Sequence, residues 1–272
     1  MDINKLNAVF PARSVQINGA LCAYREAGQG PAIVLLHGIG SGAGSWGDAA
    51  TRLTPRHRVI AWDAPGYGTS SALLCDSPAA HDYAERLHGL LTRIDASDVV
   101  LVGHSLGAIV AAAYSAGLNS VGVRQLILVS PALGYGDTTE TQREQVRVRR
   151  LTAVNELGID GMADGRAPAM LTAAATSEQL AWVRWNMTQA SVQGYTQAVH
   201  LLCNENIERY ALPDIPLNVL VGDSDTITPP AQSLALAERI TASYSLISNA
   251  GHACHIEQGI QLADMIESLI HA

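Results

Sequence analysis

Short apolar runs recur along the chain and alternate with stretches of helical period. Runs at 32–36, 58–62, 98–102, 125–129, 216–221 and 244–248 have the length and the Val, Ile and Leu content of buried strands. Between two of them, Tyr83, Leu87, Leu90, Leu91 and Ile94 recur at three- and four-residue steps, which predicts a helix over 78–94 with one apolar face. Nearer the start, 15–17, Asn18-Gly19 and 21–25 read as an antiparallel hairpin, because Asn-Gly suits a tight two-residue turn. Strands separated by helices imply an α/β fold: a mostly parallel, eight-stranded-type sheet with helices on both faces.

The alternation breaks once. From Pro131 to Pro213 there is no strand-like run, only helical stretches rich in charge, Met, Trp and Arg. That is too long for a simple connection. The chain is therefore expected to divide into a first core part over 1–130, a helical insertion over 131–213 closing over one edge of the sheet, and a second core part over 214–272. No internal repeat or low-complexity segment is visible.

Composition narrows the classes. The 272 residues, 48% hydrophobic and 15% charged, suit one sizeable domain with an insertion. A net charge of −8 argues against nucleic-acid partners and is unhelpful on anionic membranes. Lys5 is the only lysine, which removes G-K-[ST] phosphate loops, internal lysine Schiff bases and the Tyr-x-x-x-Lys pair of short-chain dehydrogenases. Cys22, Cys75, Cys203 and Cys254 lack CxxC spacing and read as reduced thiols. The opening M-D-I-N-K-L-N has no long apolar signal core, so a cytoplasmic location is expected. Residues 99–123 carry no Asp, Glu, Lys or Arg, yet His104, Ser105, Asn119, Ser120 and several glycines interrupt the ~20 apolar residues a membrane span needs. Neither metal-ligand spacing nor a cofactor motif beyond the glycine loop below is present. No metal and no cofactor are expected, and nothing specifies an oligomeric state.

Residues 33–46 read I-V-L-L-H-G-I-G-S-G-A-G-S-W, a strand breaking into alternating glycines. Such a loop lets backbone N–H groups approach an anion. Gly38, Gly40 and Ala43 fit the dinucleotide pattern G-x-G-x-x-G/A, and Asp63 follows the next apolar run, roughly where that fold keeps its ribose-binding acid. A transient oxyanion would use the same amides. The loop alone leaves both open.

The segment 98–114, D-V-V-L-V-G-H-S-L-G-A-I-V-A-A-A-Y, carries a more specific signal. A strand ends, G-H-S-L-G matches G-x-S-x-G, and a small-residue helix begins. A sharp strand-to-helix turn strains the serine and needs small residues two before and two after it, as Gly103 and Gly107 are. Ser105 is the candidate nucleophile; the alternative is a serine that only caps a helix. A serine needs a base and an orienting acid, expected in the chain order Ser, acid, His. Of the histidines after Ser105, His252 lies in a glycine loop beyond a strand, whereas His255 reads as packing, His200 falls in the insertion and His271 lies at the end. For the acid, G-D-S-D-T-I-T-P-P after 216–221 offers Asp225, with Asp223 as runner-up and Asp137 ranked third.

H-G-I-G near 37, D-A-P-G-Y-G-T-S at 63, G-H-S-L-G at 103, G-D-S-D at 222 and A-G-H at 250 together resemble the α/β-hydrolase superfamily over the whole chain. The resemblance implies a catalytic triad of Ser105, Asp225 and His252, an oxyanion hole from the backbone N–H groups of Ile39 and Leu106 on a loop shaped by His37 and Gly38, a structural role for Asp63, and a cap at the insertion. It points toward small bacterial enzymes similar to 3-oxoadipate enol-lactonases and arylesterases, with an ester or lactone of aromatic-compound catabolism as substrate. Carbon–carbon hydrolases of ring-cleavage products are the neighbouring alternative. They commonly show G-N-S-M-G and a Trp after the catalytic His, where this chain has His104, Leu106 and Ala253. Perhydrolase-like and cofactor-free dioxygenase relatives share the scaffold, and a non-catalytic binding protein of the same fold is the alternative from another class. In the insertion, Arg143, Arg147, Arg149, Arg150, Arg166, Arg184 and Arg209 are surface cations or, for one of them, a clamp for a substrate carboxylate.

Overall fold

The computed structural model describes residues 1–117 and 122–271. Eight strands form one sheet: β1 (Ala12–Ile17), β2 (Ala20–Ala27), β3 (Ala32–Leu36), β4 (Arg58–Trp62), β5 (Val99–His104), β6 (Val123–Val129), β7 (Leu217–Gly222) and β8 (Ser243–Ile247). Their order is β1-β2-β4-β3-β5-β6-β7-β8. The β1–β2 and β2–β4 pairs are antiparallel; all others are parallel. The hairpin turn places Asn18 at φ 50° and Gly19 at φ 81°, the positive angles a tight hairpin of right-handed twist requires.

Helices in chain order are α1 (Ile3–Val9), α2 (Gly47–Leu53), α3 (Ala80–Arg93), α4 (Leu106–Ala116), α5 (Glu140–Arg166), α6 (Ser177–Met187), α7 (Val192–Asn204), α8 (Pro230–Arg239), α9 (Cys254–Glu257) and α10 (Gly259–Ile270). Successive side chains of a strand point to opposite faces. Thus Val34, Leu101 and Leu128 pack with α3 and α4 through Leu87, Leu91 and Ile109. On the other face, Leu35, Val102 and Ile127 pack with Leu53 of α2 and Leu262 of α10. The α/β sheet with two covered faces is as the apolar runs imply.

The charge-free run 99–123 forms β5 and α4, and its residues 118–121 lie outside the described ones. Among the described residues no helix is long and apolar enough to cross a membrane. Between β6 and β7 the described chain is helical, without a strand. It lies over the carboxyl ends of the central strands rather than one edge of the sheet: Arg150, Arg166 and Met170 share a cavity with Ser105 and His252. Backbone bonds from Ser191 N–H to Gly66 O (2.8 Å) and from Gly68 N–H to Gln189 O (2.8 Å) tie it to the loop after β4. Inside α5, Gly158 breaks the helical path at φ 66°, ψ −177°, a region essentially reserved for glycine.

Candidate active site

Ser105 sits between β5 and α4 at φ 53°, ψ −117°, a strained conformation for a residue with a Cβ. The flanking glycines explain how the turn closes. A Cβ at Gly103 would lie 2.5 Å from Gly107 O, and one at Gly107 would lie 2.5 Å from Leu36 O. Ser105 N–H donates to Val129 O at 3.0 Å, which fixes the turn to β6. Its side chain therefore stands at the helix N-terminus, where partial positive charge gathers.

Ser105 Oγ lies 3.0 Å from His252 Nε2, and His252 Nδ1 lies 2.9 Å from Asp225 Oδ2. Burial alone would raise the Asp225 pKa, but the His252 imidazole and the Thr228 N–H and hydroxyl together outweigh it and hold the carboxyl at about 2. An ionised Oδ2 only accepts, so Nδ1 of His252 carries the hydrogen and Nε2 is free to accept from Ser105 Oγ–H. The second Asp225 oxygen, Oδ1, accepts from Ile227 N–H (2.8 Å) and Thr228 N–H (2.9 Å). Thr228 Oγ stands 2.8 Å from Asp225 Oδ2 and 3.2 Å from His252 Nδ1.

The other candidate acids point elsewhere. Asp223 accepts from Asn249 N–H at 2.9 Å and Ala250 N–H at 3.3 Å, joining the loops after β7 and β8. Asp137 is exposed and pairs with Arg209 and Asn206. Asp63 accepts from Ala43 N–H at 2.8 Å, so its carboxylate holds the glycine loop itself. His255 is buried between Trp46 and His104, with ring centroids 4.8 and 4.2 Å away, while His200 lies on α7 and His271 reaches Glu267 at 3.4 Å.

His37 shapes the glycine loop. Its Nε2 accepts from Ala64 N–H at 3.0 Å, so Nδ1 carries the hydrogen and donates to Gly38 O at 2.9 Å. Burial keeps this ring neutral, with its pKa lowered to about 4. The backbone N–H groups of Ile39 and Leu106 make no hydrogen bond to protein among the described residues, and Ile39 lines the cavity beside Ser105 and His252. The cavity has a volume of about 340 Å³.

Several neighbours carry no local sequence signal. His104 Nε2–H donates to His252 O at 2.8 Å. Glu257 Oε2 accepts from Gly251 N–H at 2.6 Å, and its Oε1 accepts from Thr172 N–H at 2.8 Å and Thr172 Oγ–H at 2.7 Å. Ala253 N–H donates to Met170 O at 2.8 Å. The His252 loop is thus tied to the helical segment on both sides. Ligand atoms of His104, Cys254 and His255 lie within 4.8 Å of one another, as do those of His57, Glu267 and His271. Spacing could not have revealed the first grouping, since His104 belongs to β5 and Cys254 and His255 to α9.

Comparison with known proteins agrees with the fold. The profile of the alpha/beta hydrolase family matches residues 33–265. An uncharacterized protein of Mycobacterium bovis is 36% identical over 157 residues, 58% of this chain and 43% of that one, so the chain spans less than half the length of this relative. A 2-hydroxy-6-oxo-6-phenylhexa-2,4-dienoate hydrolase of Comamonas testosteroni is 35% identical over 91 residues, 32% of each protein. Among solved structures, an esterase from Thermogutta terrifontis superposes with a TM-score of 0.86 at 24% identity, covering 95% of this chain and 98% of that one. The enol-lactonase of Burkholderia xenovorans gives 0.85 at 21%, covering 96% and 100%. At such identities the structures speak to the fold alone. With the profile spanning most of the length, the chain belongs to the alpha/beta hydrolase family.

Proposed function

We propose that the protein is a serine hydrolase of small carboxylic esters or lactones. The observation that carries this reading is the buried relay from Ser105 Oγ through His252 to Asp225, at 3.0 and 2.9 Å. Ser105 Oγ attacks the carbonyl carbon while His252 Nε2 takes its proton. The resulting oxyanion is held by the N–H groups of Ile39 and Leu106, which have no other protein acceptor among the described residues. Collapse breaks the bond to the alkoxy oxygen, which receives the proton from His252, leaving an acyl group on Ser105. In a lactone that alcohol stays tethered to the acyl chain. Water then attacks, His252 takes its proton, and collapse returns that proton to Ser105 as the acid leaves. Asp225 stabilises the imidazolium formed in both halves. The segment 131–213 serves as the cap over the site. The four unpaired cysteines fit a cytoplasmic setting.

The test pairs labelling with turnover. A fluorophosphonate should form one adduct, on Ser105, and p-nitrophenyl acetate or a simple lactone should be hydrolysed by the wild type and not by Ser105→Ala. Labelling that persists in Ser105→Ala would move the nucleophile elsewhere. Preferential turnover of a ring-cleavage product would transfer the reading to carbon–carbon hydrolysis, and a folded but wholly inert protein would leave a binding role.

A further inference from the structure

The cavity above Ser105 is lined by two guanidinium groups and by no aspartate or glutamate. Arg150 comes from the first part of α5 and Arg166 from its end, with the Gly158 break between them. Of the other cations of this segment, Arg143, Arg147, Arg184 and Arg209 each pair with a carboxylate, and Arg149, also without an ion pair among the described residues, is exposed to solvent. Neither Arg150 nor Arg166 forms an ion pair among the described residues. Arg150 is only 9% exposed, its Nε has no partner, and its single side-chain bond is a long one, 3.5 Å, to Tyr195 Oη. Burial first, and then the charge of Arg150, lowers the pKa of Arg166, so the two cations feel one another across the site. Two like charges facing one space, one buried at Arg150 and one half-buried at Arg166, are costly without an anion between them.

We propose that Arg150 and Arg166 form a carboxylate subsite, so that the substrate is an ester or lactone bearing a free carboxylate remote from the scissile carbonyl. This rests on the serine-hydrolase reading above and narrows its substrate class. A guanidinium fork meets a planar carboxylate through two parallel N–H···O bonds, which fixes orientation as well as charge. The carboxylate on the two arginines and the carbonyl at Ser105 would give the substrate two fixed ends inside a cavity of about 340 Å³.

The experiment compares monomethyl glutarate with dimethyl glutarate, and separately measures the binding of glutarate to Ser105→Ala by calorimetry. In the wild type, kcat/KM should favour the monoanionic ester by about tenfold or more, the scale of one charge-assisted hydrogen bond. Added salt should erode the preference. In Arg150→Met and Arg166→Met the ratio of the two rates should fall at least about tenfold, and Arg166→Lys should restore part of it. Glutarate should bind Ser105→Ala, and the neutral glutaramide should not. If either arginine variant fails to fold, the wild-type ratio and the calorimetry still decide. Turnover of both esters through Ser105 without preference, with no glutarate binding at millimolar concentration, overturns the subsite and leaves the hydrolase intact. Glutarate binding that needs the two arginines, with neither ester turned over, upholds an anion site and sinks the hydrolase reading.

Discussion

Asp223 and Asp225 stand two residues apart on the loop after β7, and their surroundings separate their roles. Asp225 is buried and receives His252, two amides and a hydroxyl. Asp223 receives the amides of Asn249 and Ala250, and the first of these is the main cause of its lowered pKa. Asp225→Asn would turn an amide N–H or a weaker acceptor toward His252 Nδ1 and favour the wrong tautomer. Its kcat should fall by orders of magnitude, about 10⁴ in a comparable triad. Asp223→Asn should cost far less in kcat and show itself mainly in thermal stability, because it loosens the loop that presents His252. Steady-state kinetics on both variants checks the ranking; a larger kcat loss in Asp223→Asn would reassign the acid. Thr228, which touches the same carboxylate, was not legible: nothing in D-S-D-T-I-T separates its hydroxyl from that of Thr226 until the loop is folded.

At the scale of elements, Glu257 joins three pieces of chain. Its carboxylate on α9 accepts from Gly251, which precedes His252, and from Thr172 of the helical segment. A carboxamide has one acceptor oxygen, and its NH₂ would face donors. Glu257→Gln should therefore leave a buried donor unpaired, at a cost of about 1–3 kcal/mol, and lower Tm by several degrees. The kcat should drop with it. Calorimetry and kinetics showing neither change would mean that the link does not hold the His252 loop. This partnership spans 85 positions, so no local pattern announces it. Strands differ in legibility for a related reason. All of β3 and β5 is buried, and an uninterrupted apolar run marks each. By contrast, β1 begins at Ala12, ahead of the expected start at 15, with Ala12, Arg13 and Ser14 bordering solvent. Only pairing to β2 makes those residues a strand. Ser105 could be read because its constraint is local, two glycines around one turn. The approach of Arg150 and Arg166 could not, because it depends on the break at Gly158 and on what the helix covers.

The whole molecule stores its acid sensitivity in buried rings. Burial is the first cause in each case: it lowers His37 to about 4, His104 to about 3, and His255 well below its ordinary value. An imidazole in the unfolded chain titrates near ~6.5. As pH falls from about 6.5 toward 4, the unfolded chain binds protons that the folded one refuses, so ν_U exceeds ν_N and stability falls with pH. Asp225 acts in a separate window. With its folded pKa at about 2, below the unfolded value of ~3.9, its contribution is intact above about pH 4 and is lost only below it. Loss of stability between pH 6.5 and 4.5 should therefore belong to the histidines. His255 gives the cleanest separation, because neither of its ring nitrogens has a hydrogen-bond partner among the described residues, so it takes no part in the bonds joining Ser105, His252 and Asp225. In His255→Phe an aromatic ring still fills the space between Trp46 and His104, without nitrogens to protonate on unfolding. Urea unfolding at constant ionic strength should show a shallower loss of stability from pH 7 to 5 in the variant than in the wild type. Any cost of fitting a slightly larger ring acts equally at both pH values and leaves the slope readable. Equal slopes would mean that His255 is protonated in the folded protein as readily as in the unfolded chain, and the acid sensitivity would then have to come from elsewhere.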